Sequence, residues 1–301
     1  MAVYNGEKHI REAIESVLNQ SFSEFELIII NDGSTDNTAN ILSSYNDPRF
    51  IVIQQENLGV AKSRNKAIRD VAKGKYIAIL DSDDIALPTR FEVQLAFLEE
   101  NQDYVMVGAN AIIIDEEGNA LYHSALLTDT NLIKAQLPTS NFFNSAAIFK
   151  KDAFINVGGY NETIINHIED AILWMKFSEI GKITNLKEIL IKYRLTVNSL
   201  TNKTAAAFKM QKKLLNKIAK NQAFSTKDIS SLIDKNKLSK NKKESLYYSR
   251  LANIYLTKNL NRKLALTNIF RSLSINPINF SAFKQLAILT VISLKSILSK
   301  F

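Results

Sequence analysis

Three aspartates stand within four positions, directly after an apolar run of the chain. Asp81, Asp83 and Asp84 follow the segment KYIAIL, residues 75–80, which has the composition of a buried strand. Carboxylates this close repel one another, and burying them is costly unless positive charge lies nearby. Oxygen ligands at the end of a strand suit Mg²⁺ or Mn²⁺, so we expect a divalent-metal site here. The alternative, a polar turn that caps the next helix, explains one aspartate but not three.

Other residues that could do chemistry lie at the ends of three further segments. Asp32 follows the apolar run FELIIIN, Lys62 and Arg64 lie near the start of a helix-like segment, and Glu169 and Asp170 open another. A cation near a helix start opposes the helix dipole, so Lys62 and Arg64 either face an anion or form a solvated basic face. Acidic residues are favourable at a helix start with or without a functional role. Each of these segments alone is weak evidence.

The sequence lacks several motifs that would indicate other chemistry. It has no GxxxxGK[ST] motif, no GxGxxG motif after a strand, no HExxH and no GxSxG. The phosphate charge of a bound nucleotide would therefore be met by a metal rather than by a glycine-rich loop. Zinc-peptidase and α/β-hydrolase chemistry are not indicated. The absence of cysteine excludes disulfides and thiolate metal sites, and it fits a reducing compartment.

Strand-like and helix-like segments alternate through the first two-thirds of the chain, which indicates an α/β layered fold. The predicted strands are residues 25–31, 49–54, 75–80 and 144–150, with a hairpin over residues 104–123. The predicted helices are residues 59–74, 88–101 and 169–181. The first strand, residues 1–3, is short for a complete α/β domain. We expect either that the true start lies upstream or that the strand is clipped.

Charge divides the 301 residues into two predicted domains. Residues 1–200 carry 18 Lys and Arg against 27 Asp and Glu, a net charge of −9. Residues 201–301 carry 20 against 3, a net charge of +17. All nine glycines lie at or before Gly181. We therefore predict an α/β domain over residues 1–200 and an all-helical basic region over residues 201–301.

The basic C-terminal region has two interpretations. Residues 286–294 are apolar apart from Thr290 and Ser293, and lysines flank them. That composition suits a helix in the interface of an anionic membrane, or an ordinary packing helix with solvated lysines. No zinc-finger, helix-turn-helix or aromatic RNA-binding pattern occurs, so we expect no nucleic-acid partner. We also expect no membrane-spanning helix and no signal peptide, because no uncharged apolar run of that length and no signal-peptide pattern is present.

Seven segments in order closely resemble the family-2 glycosyltransferases, which have the GT-A fold. These segments are AVYNGEKHIREAIESVLNQS, ELIIINDGSTDNT, NLGVAKSRNKAI, KYIAILDSDDIALPTR, VGGYNE, EDAILWMKFSEIG and YRLTVNSLT. The resemblance covers about residues 1–200, and its specificity comes from the ordered set rather than from any single motif. It implies a GT-A mixed sheet flanked by helices. It also implies a catalytic domain that transfers a sugar from a nucleotide diphosphate with inversion.

On the nucleotide side, the resemblance assigns roles to four residues. It implies that Tyr4 stacks on the nucleobase and that Asp32 hydrogen-bonds the base. Arg64, together with Lys62, would lie beside the nucleotide. The donor implied is a nucleotide sugar, with a UDP-sugar as our expectation.

On the reacting side, the resemblance points to the aspartate cluster and to the ED pair. Asp81 and Asp83 match the DxD element and would hold Mn²⁺ or Mg²⁺, with Asp84 assisting. Asp81 and Ser82 would also contact the nucleotide sugar. The metal would stabilise the departing diphosphate, and Asp170 would act as catalytic base on the acceptor hydroxyl.

Two positions depart from the family pattern. Thr196 stands two residues after the YR element, and Asn144 lies in NFFNSAAIFK, both where histidine is frequent in the family. A hydroxyl or an amide binds a divalent ion less firmly than imidazole does. The metal would then rest on Asp81, Asp83, the diphosphate and water.

The leading hypothesis is an inverting, metal-dependent glycosyltransferase at the cytoplasmic face of the membrane. Its partners would be a nucleotide-sugar donor and a cell-surface glycan or lipid-linked acceptor, with peripheral membrane contact and a homo-oligomer left open. One alternative is a sugar-phosphate nucleotidyltransferase, although YNGEKH does not provide the glycine-rich basic loop that it needs. The other is a non-enzymatic nucleic-acid-binding protein driven by the basic region.

Overall fold

The computed structural model describes residues 1–137, 142–163, 168–197, 205–220 and 238–298. The chain divides into two compact units. Unit 1 comprises Met1–Ile112, His123–Tyr193 and Gln211–Ser225, and unit 2 comprises Ile113–Tyr122, Arg194–Met210 and Thr226–Phe301. The two predicted domains, residues 1–200 and 201–301, remain a prediction.

A three-stranded parallel sheet opens unit 1. Its strands are β1 (Ala2–Val3), β2 (Leu27–Asp32) and β3 (Phe50–Gln55), with β2 in the centre. Every residue of β2 is buried, as expected for a parallel strand covered on both faces. The helices that follow β1 and β2 are α1 (Ile10–Leu18) and α2 (Thr38–Ser43). Ile10, Ile14 and Val17 of α1 are buried at helical spacing, so this face packs onto the sheet.

A second, six-stranded sheet carries the rest of the mixed architecture. In chain order its strands are β4 (Tyr76–Ala78), β5 (Ile85–Ala86), β6 (Tyr104–Ile114), β7 (Ala120–His123), β8 (Ile148–Lys150) and β9 (Lys182–Arg194). The spatial order is β4-β8-β6-β9-β5, and β7 pairs with β6 as the predicted hairpin. The β4–β8, β6–β8 and β5–β9 pairs are antiparallel.

The remaining helices of the first two-thirds lie between these strands. They are α3 (Val60–Lys66), α4 (Arg90–Glu100), α5 (Thr130–Gln136), α6 (Lys151–Asn156) and α7 (Glu169–Ile180). The predicted end of α7 at Gly181 is confirmed, and a Cβ at Gly181 would collide with Val105.

Two predicted boundaries were wrong. The helix predicted over residues 59–74 passes into a single π-helical turn, Ala67–Val71, and stops there. The strand predicted over residues 144–150 starts only at Ile148, because Asn144–Ala146 forms a 3₁₀ turn. That turn has a functional consequence, since it places the Asn144 and Ser145 side chains against Asp81.

The core of unit 1 lies on both sides of the second sheet. Helix α7 is buried along most of its length, and its Trp174 and Phe177 pack against Phe149 of β8. The Phe149 ring stacks on Phe154 of α6 at 5.6 Å between centroids. This aromatic packing fixes the direction of α7 and therefore the position of its first residues.

The described part of the C-terminal region is helical, as predicted. Its helices are α8 (Ala205–Ala219), α9 (Lys240–Thr257), α10 (Arg262–Ile275) and α11 (Phe280–Leu298). Asn279 donates hydrogen bonds to Ser245 Oγ (2.8 Å) and Ser272 Oγ (3.0 Å), which joins α9 and α10 at the start of α11. In the parts of the chain that the structure describes, no helix is long and apolar enough to cross a membrane.

Candidate functional site

Several of the predicted site residues lie in unit 1 where strands β2 and β4 end. Asp32 is the last residue of β2, and Asp81 follows β4 after two buried apolar residues. Helix α3 and the start of α7 reach the same edge, because Arg64 of α3 contacts both Asp81 and Glu169 of α7. Ligands of α/β sheets bind outside the carboxyl ends of strands, so this edge is the expected place for a site.

Asp32 is a buried carboxylate, 4% exposed, that orders the loop between β3 and α3. Its Oδ1 accepts hydrogen bonds from Gln55 Nε2 (2.7 Å) and Leu58 N (2.9 Å). Its Oδ2 accepts one from Gly59 N (2.8 Å). A carboxylate offers about four lone-pair sites, so three are used and Oδ2 keeps one.

Tyr4 lies in the loop after β1, and its ring is 53% exposed. The backbone around it is fixed to the loop after β2. Asn5 N donates to Ser34 Oγ (2.9 Å), and Thr35 N donates to Asn5 Oδ1 (2.7 Å). The exposed ring is thus held at the rim of the same edge as Asp32, where a planar group could stack on it.

Asp81 is held by three neighbours while a third of its side chain stays exposed. Arg64 Nη2 donates to Asp81 Oδ1 at 2.6 Å, and Asn144 Nδ2 donates to the same oxygen at 3.1 Å. The Asp81 main-chain N donates to Ser145 Oγ at 3.1 Å. The 3₁₀ turn before β8 and helix α3 therefore orient this carboxylate between them.

Arg64 supplies the positive charge that the aspartate cluster requires. It is buried, its Nη1 lies 3.5 Å from Glu169 Oε1, and its guanidinium lies 5.4 Å from the centre of the Tyr160 ring. Burial lowers the pKa of Arg64, but the nearby acidic groups, Asp81 foremost and then Tyr160, Glu169 and Asp170, raise it above the ordinary value. Arg64 is therefore a permanent cation that bridges two acidic segments.

Lys62, two residues earlier on α3, is exposed. The solvated-face interpretation is wrong for Arg64, which is buried. Ser82 is partly buried and lies near the loop after β1, since a Cβ built on Gly6 would be 3.6 Å from Ser82 Oγ.

The three aspartates that follow β4 occupy different environments. Asp84 is 1% exposed. Burial lowers the pKa of the neighbouring Arg90 to about 9, and the charge of Asp84 opposes that shift. Asp83 is partly buried, as Asp81 is. Within the described residues, no group of three or more His, Cys, Asp and Glu side chains is placed to hold a metal.

The residues present still fit a divalent ion that shares its ligands with a substrate. Mg²⁺ commonly takes one or two carboxylates from the protein and the remaining oxygens from phosphates and water. Asp81 keeps exposed carboxylate surface, and the neighbouring Asn144 Oδ1 is buried without a hydrogen-bond partner in the described structure. This orphaned amide oxygen is a chemically suitable ligand at the position where the family often has histidine.

Asp170 is the second residue of α7 and is partly exposed. Its Oδ1 accepts a hydrogen bond from Ala171 N at 2.7 Å, and its charge contributes to the raised pKa of Arg64. The carboxylate predicted as catalytic base therefore lies in the electrostatic neighbourhood of Asp81. His167 lies outside the described residues, and Thr196 is buried.

Sequence reasoning assigned no role to Glu169, Tyr160 or Ser145. Glu169 was visible only as the neighbour of Asp170, and Ser145 as part of a predicted strand. Tyr160 is 2% exposed, and burial first of all raises its pKa, so its ring stays neutral beside Arg64. None of the three had a local signal, because their contacts join segments 60 to more than 100 residues apart in sequence.

Comparisons with known proteins identify the family of this chain. The family described as Glycosyl transferase family 2 matches residues 1–158. An uncharacterized glycosyltransferase of Methanocaldococcus jannaschii is 36% identical over 202 residues, which cover 65% of this chain and 69% of the relative. The amylovoran biosynthesis glycosyltransferase AmsE of Erwinia amylovora is 28% identical over 205 residues, covering 64% and 74%.

Two solved structures have a similar fold. S. aureus TarS 1–349 in complex with UDP matches with a TM-score of 0.55 and 19% identity, covering 92% of this chain and 79% of that one. The mannosyltransferase PcManGT of Pyrobaculum calidifontis, in complex with GDP-Man and Mn²⁺, matches with a TM-score of 0.52 and 15% identity, covering 100% and 86%. The fold is that of the GT-A glycosyltransferases. The chain belongs to glycosyltransferase family 2, and it is a glycosyltransferase.

Proposed function

We propose that this protein is an inverting, divalent-metal-dependent enzyme that moves a sugar from a UDP-sugar to a hydroxyl of a cell-surface glycan or a lipid-linked acceptor. Family membership supports sugar transfer. The name of the E. amylovora relative supports a polysaccharide product. The UDP bound to TarS, and the GDP-Man and Mn²⁺ bound to PcManGT, support a nucleotide sugar and a metal.

One observation carries the proposal: the buried Arg64 bridges Asp81 and Glu169. It brings the metal-ligand candidates after β4 and the base candidate on α7 to one edge of the molecule. A single displacement with inversion needs the leaving diphosphate and the incoming hydroxyl on opposite sides of one carbon atom, both held in the right orientation. The two acidic segments joined by Arg64 supply one group for each side.

The donor would be held by the loops after β1 and β2. The remaining lone-pair site of Asp32 Oδ2 suits an N–H of a pyrimidine base, and the exposed ring of Tyr4 suits its face. Lys62, exposed on α3, would reach the phosphates, and Ser82 would contact the sugar nucleotide from the loop after β4.

Asp81 and Asp83 would hold the divalent ion, with Asn144 Oδ1 beside them. When bound, the ion would neutralise the charge that develops on the diphosphate as it leaves. Arg64 orients Asp81 for this task, because its Nη2 contacts Asp81 Oδ1 at 2.6 Å.

Asp170 would take the proton of the acceptor hydroxyl. Its carboxylate lies in the first turn of α7, where a negative charge interacts favourably with the helix dipole. Attack on the anomeric carbon from the face opposite the diphosphate inverts that carbon in a single displacement, so one base is sufficient.

The test is a thermal-shift and turnover experiment on the whole chain. UDP should stabilise the protein only with Mn²⁺ present, by about 2.7 kcal/mol at a hundred times its Kd. Asp83→Asn should abolish that stabilisation, whereas Asp70→Asn, a change at an exposed aspartate of unit 1, should keep it. Metal-independent stabilisation of the Asp83→Asn variant would contradict the metal assignment.

The second arm separates binding from chemistry. Asp170→Asn should keep UDP binding and lose transfer to an acceptor by at least about a hundredfold, the usual contribution of a general base. Asp152→Asn is the matched control, since Asp152 is also the second residue of a helix but is exposed on α6. Normal transfer by Asp170→Asn would remove it as the base. Release of pyrophosphate from UTP and a sugar 1-phosphate, with no transfer from a UDP-sugar, would favour nucleotidyl transfer.

The finer proposal on location is that the protein acts at the cytoplasmic face of a membrane, with α11 against the lipid. The described part of this helix has an exposed apolar stripe at helical spacing: Phe280, Phe283, Ala287, Ile288 and Val291, interrupted by Lys284. The ring of Phe280 is 85% exposed. Residues 240–298 carry ten Lys and Arg against one Glu. Apolar surface with this much positive charge suits an anionic lipid surface better than a second copy of the same chain.

A further inference from the structure

Arg90, the first residue of α4, is a cation buried inside unit 1, with an exposed fraction of 0%. Burial lowers its pKa to about 9, because the charged form loses its hydration there. Its Nη1 has no hydrogen-bond partner among the described residues. Replacing buried charged groups by well-packed apolar side chains of similar volume is often neutral or stabilising. A guanidinium at this position therefore requires an explanation other than stability.

The contacts of the Arg90 guanidinium join two segments of the second sheet. Its Nη2 donates to Ile79 O (2.9 Å) and to Ala147 O (3.3 Å). Ile79 directly follows β4, and Ala147 directly precedes β8. Ile79 N also donates to Ala147 O at 2.9 Å, so the two segments already meet here. The guanidinium therefore holds the place where the β4–β8 ladder ends.

Gln94 extends this contact by one turn of the helix. It is 0% exposed, and its Oε1 accepts a hydrogen bond from Arg90 Nε at 3.0 Å. Its Nε2 donates to Ala146 O (2.8 Å) and to Val107 O of β6 (3.2 Å). Side chains four residues apart lie on one face of a helix, so Arg90 and Gln94 act together. We call them the Arg90–Gln94 pair.

The helix that carries the pair is itself anchored at its start. Gln20, which follows α1, is buried, and its Nε2 donates to Leu87 O at 2.8 Å. Its Oε1 accepts a hydrogen bond from Phe91 N at 3.1 Å. Arg90 therefore projects from a backbone that is fixed on both sides, which keeps its guanidinium in one place.

The main-chain groups held by the pair lead directly to the candidate metal ligands. Ile79 lies two residues before Asp81, and Ala146 ends the 3₁₀ turn that starts at Asn144. Asn144 Nδ2 donates to Asp81 Oδ1 at 3.1 Å, so the two segments meet again at the site. A shift of one segment against the other would separate Asn144 from Asp81.

We propose that the Arg90–Gln94 pair positions the divalent-ion site, by fixing the strand end that carries Asp81 against the turn that carries Asn144. This inference rests on the metal role of Asp81 and Asn144 in the proposed function. Groups that orient metal ligands without touching the metal typically contribute 10–100-fold to metal affinity. The planar fork of a guanidinium bonds several acceptors at once, which the single ammonium of lysine does not reproduce.

The first arm of the test needs no ligand and no activity. Asp81 N donates to Ser145 Oγ, so its amide exchange reports on the contact between the two segments. Arg90→Met should speed exchange of the Asp81 amide at least tenfold relative to Leu98→Ala. Leu98 is fully buried on the same helix, so Leu98→Ala controls for a general loss of stability. Gln94→Met should speed the same exchange to a smaller extent, and it decides the question if Arg90→Met does not fold.

The second arm measures the affinity for UDP in the presence of Mn²⁺ by calorimetry. Arg90→Met should raise the Kd at least about tenfold, whereas Leu98→Ala should leave it unchanged. Arg90→Lys, which keeps the charge, should raise the Kd nearly as far as Arg90→Met does.

Three results overturn the proposal. Equal Asp81 exchange in Arg90→Met and Leu98→Ala would show that the pair does not hold the two segments. An equal rise of the Kd in those two variants would assign the effect to stability alone. A normal Kd for Arg90→Lys would show that only the charge matters. If the unaltered chain did not bind UDP with Mn²⁺, the proposed function would fail instead, and Asp81 exchange would still decide whether the pair fixes the two segments.

Discussion

At the scale of single residues, Arg64 decides how the acidic groups of the site coexist. Its guanidinium lies 2.6 Å from Asp81 and 3.5 Å from Glu169, and it is buried. Removing one partner from a buried ion pair leaves an uncompensated charge, which costs more than the pair contributes. The planar guanidinium reaches two carboxylates at once, which the single ammonium of lysine does not reproduce.

We expect Arg64→Met to lower the free energy of unfolding by about 3 kcal/mol, within the range for breaking a buried ion pair. Arg64→Lys should recover most of that stability but little of the turnover, because the charge remains while Asp81 loses its orientation. Urea unfolding and initial transfer rates measure the two effects.

Lys73→Met is the control for loss of a positive charge alone, since Lys73 is an exposed cation of unit 1. It should change stability by less than about 0.5 kcal/mol. If Arg64→Lys transferred sugar at the normal rate, the orientation of Asp81 by a guanidinium that contacts Asp81 through Nη2 and Glu169 through Nη1 would be refuted.

At the scale of elements, the turns between strands and helices hold the donor side of the site. Gly33 follows β2 with a φ of +77°, which L side chains rarely adopt, and a Cβ there would lie 2.7 Å from Asn57 N. The loop at Asn57 leads into Leu58 and Gly59, whose N–H groups bond Asp32. A change at Gly33 therefore reaches Asp32 through the backbone.

Gly33→Ala should destabilise the protein by about 2–3 kcal/mol, since a left-handed backbone and a collision act together. Gly158→Ala is the matched control: its φ is +76°, and no atom lies within 4 Å of the added Cβ, so about 1 kcal/mol is expected. UDP-dependent stabilisation should fall only in the first variant. Equal losses of stability and of nucleotide binding in both variants would show that backbone strain alone is responsible.

At the scale of the whole molecule, the C-terminal region does more than add charge. Within unit 2, Glu116 N donates to the Tyr247 hydroxyl (3.1 Å) and Asn259 Nδ2 donates to Leu121 O (3.1 Å). Both bonds hold the β6–β7 hairpin, which belongs to the first two-thirds of the sequence. A chain that ends at residue 200 would therefore lose partners of its own hairpin.

We expect residues 1–200 alone to unfold at a lower temperature than the full chain, with the hairpin amides least protected from exchange. In the full chain, Tyr247→Phe should cost about 1 kcal/mol, the usual net value of one hydrogen bond. An unchanged midpoint for residues 1–200 would establish them as a self-sufficient domain.

The same region carries the surface that we assign to lipid. The full chain should sediment with vesicles that contain anionic lipid and not with neutral ones, and this binding should weaken as salt rises above about 0.1 M. Replacing both Phe280 and Phe283 by Ser should reduce binding at least tenfold. Phe270→Ser is the control, since Phe270 is exposed on α10 instead. If the unaltered chain forms a dimer and the double variant is a monomer, the apolar stripe of α11 binds a second copy of the chain instead of lipid.

The sequence by itself determined the fold class, the family and the candidate residues. Apolar runs that end in Asp32 and Asp81, and a helix that opens with Glu169 and Asp170, are local patterns, and seven such patterns in order identify the family. Periodicity and turn chemistry depend on neighbours in sequence, so they can be predicted without a structure. For the same reason the helical character of the described C-terminal region was predictable.

Only the tertiary structure decided which charges meet. Arg64 and Lys62 are equivalent in sequence, yet the first is buried between Asp81 and Glu169 while the second faces solvent. The 3₁₀ turn that turns Asn144 toward Asp81 interrupts a run predicted as strand, because contacts across the fold override local preference. Burial and ion pairing depend on segments far apart in the chain, and no local pattern records them.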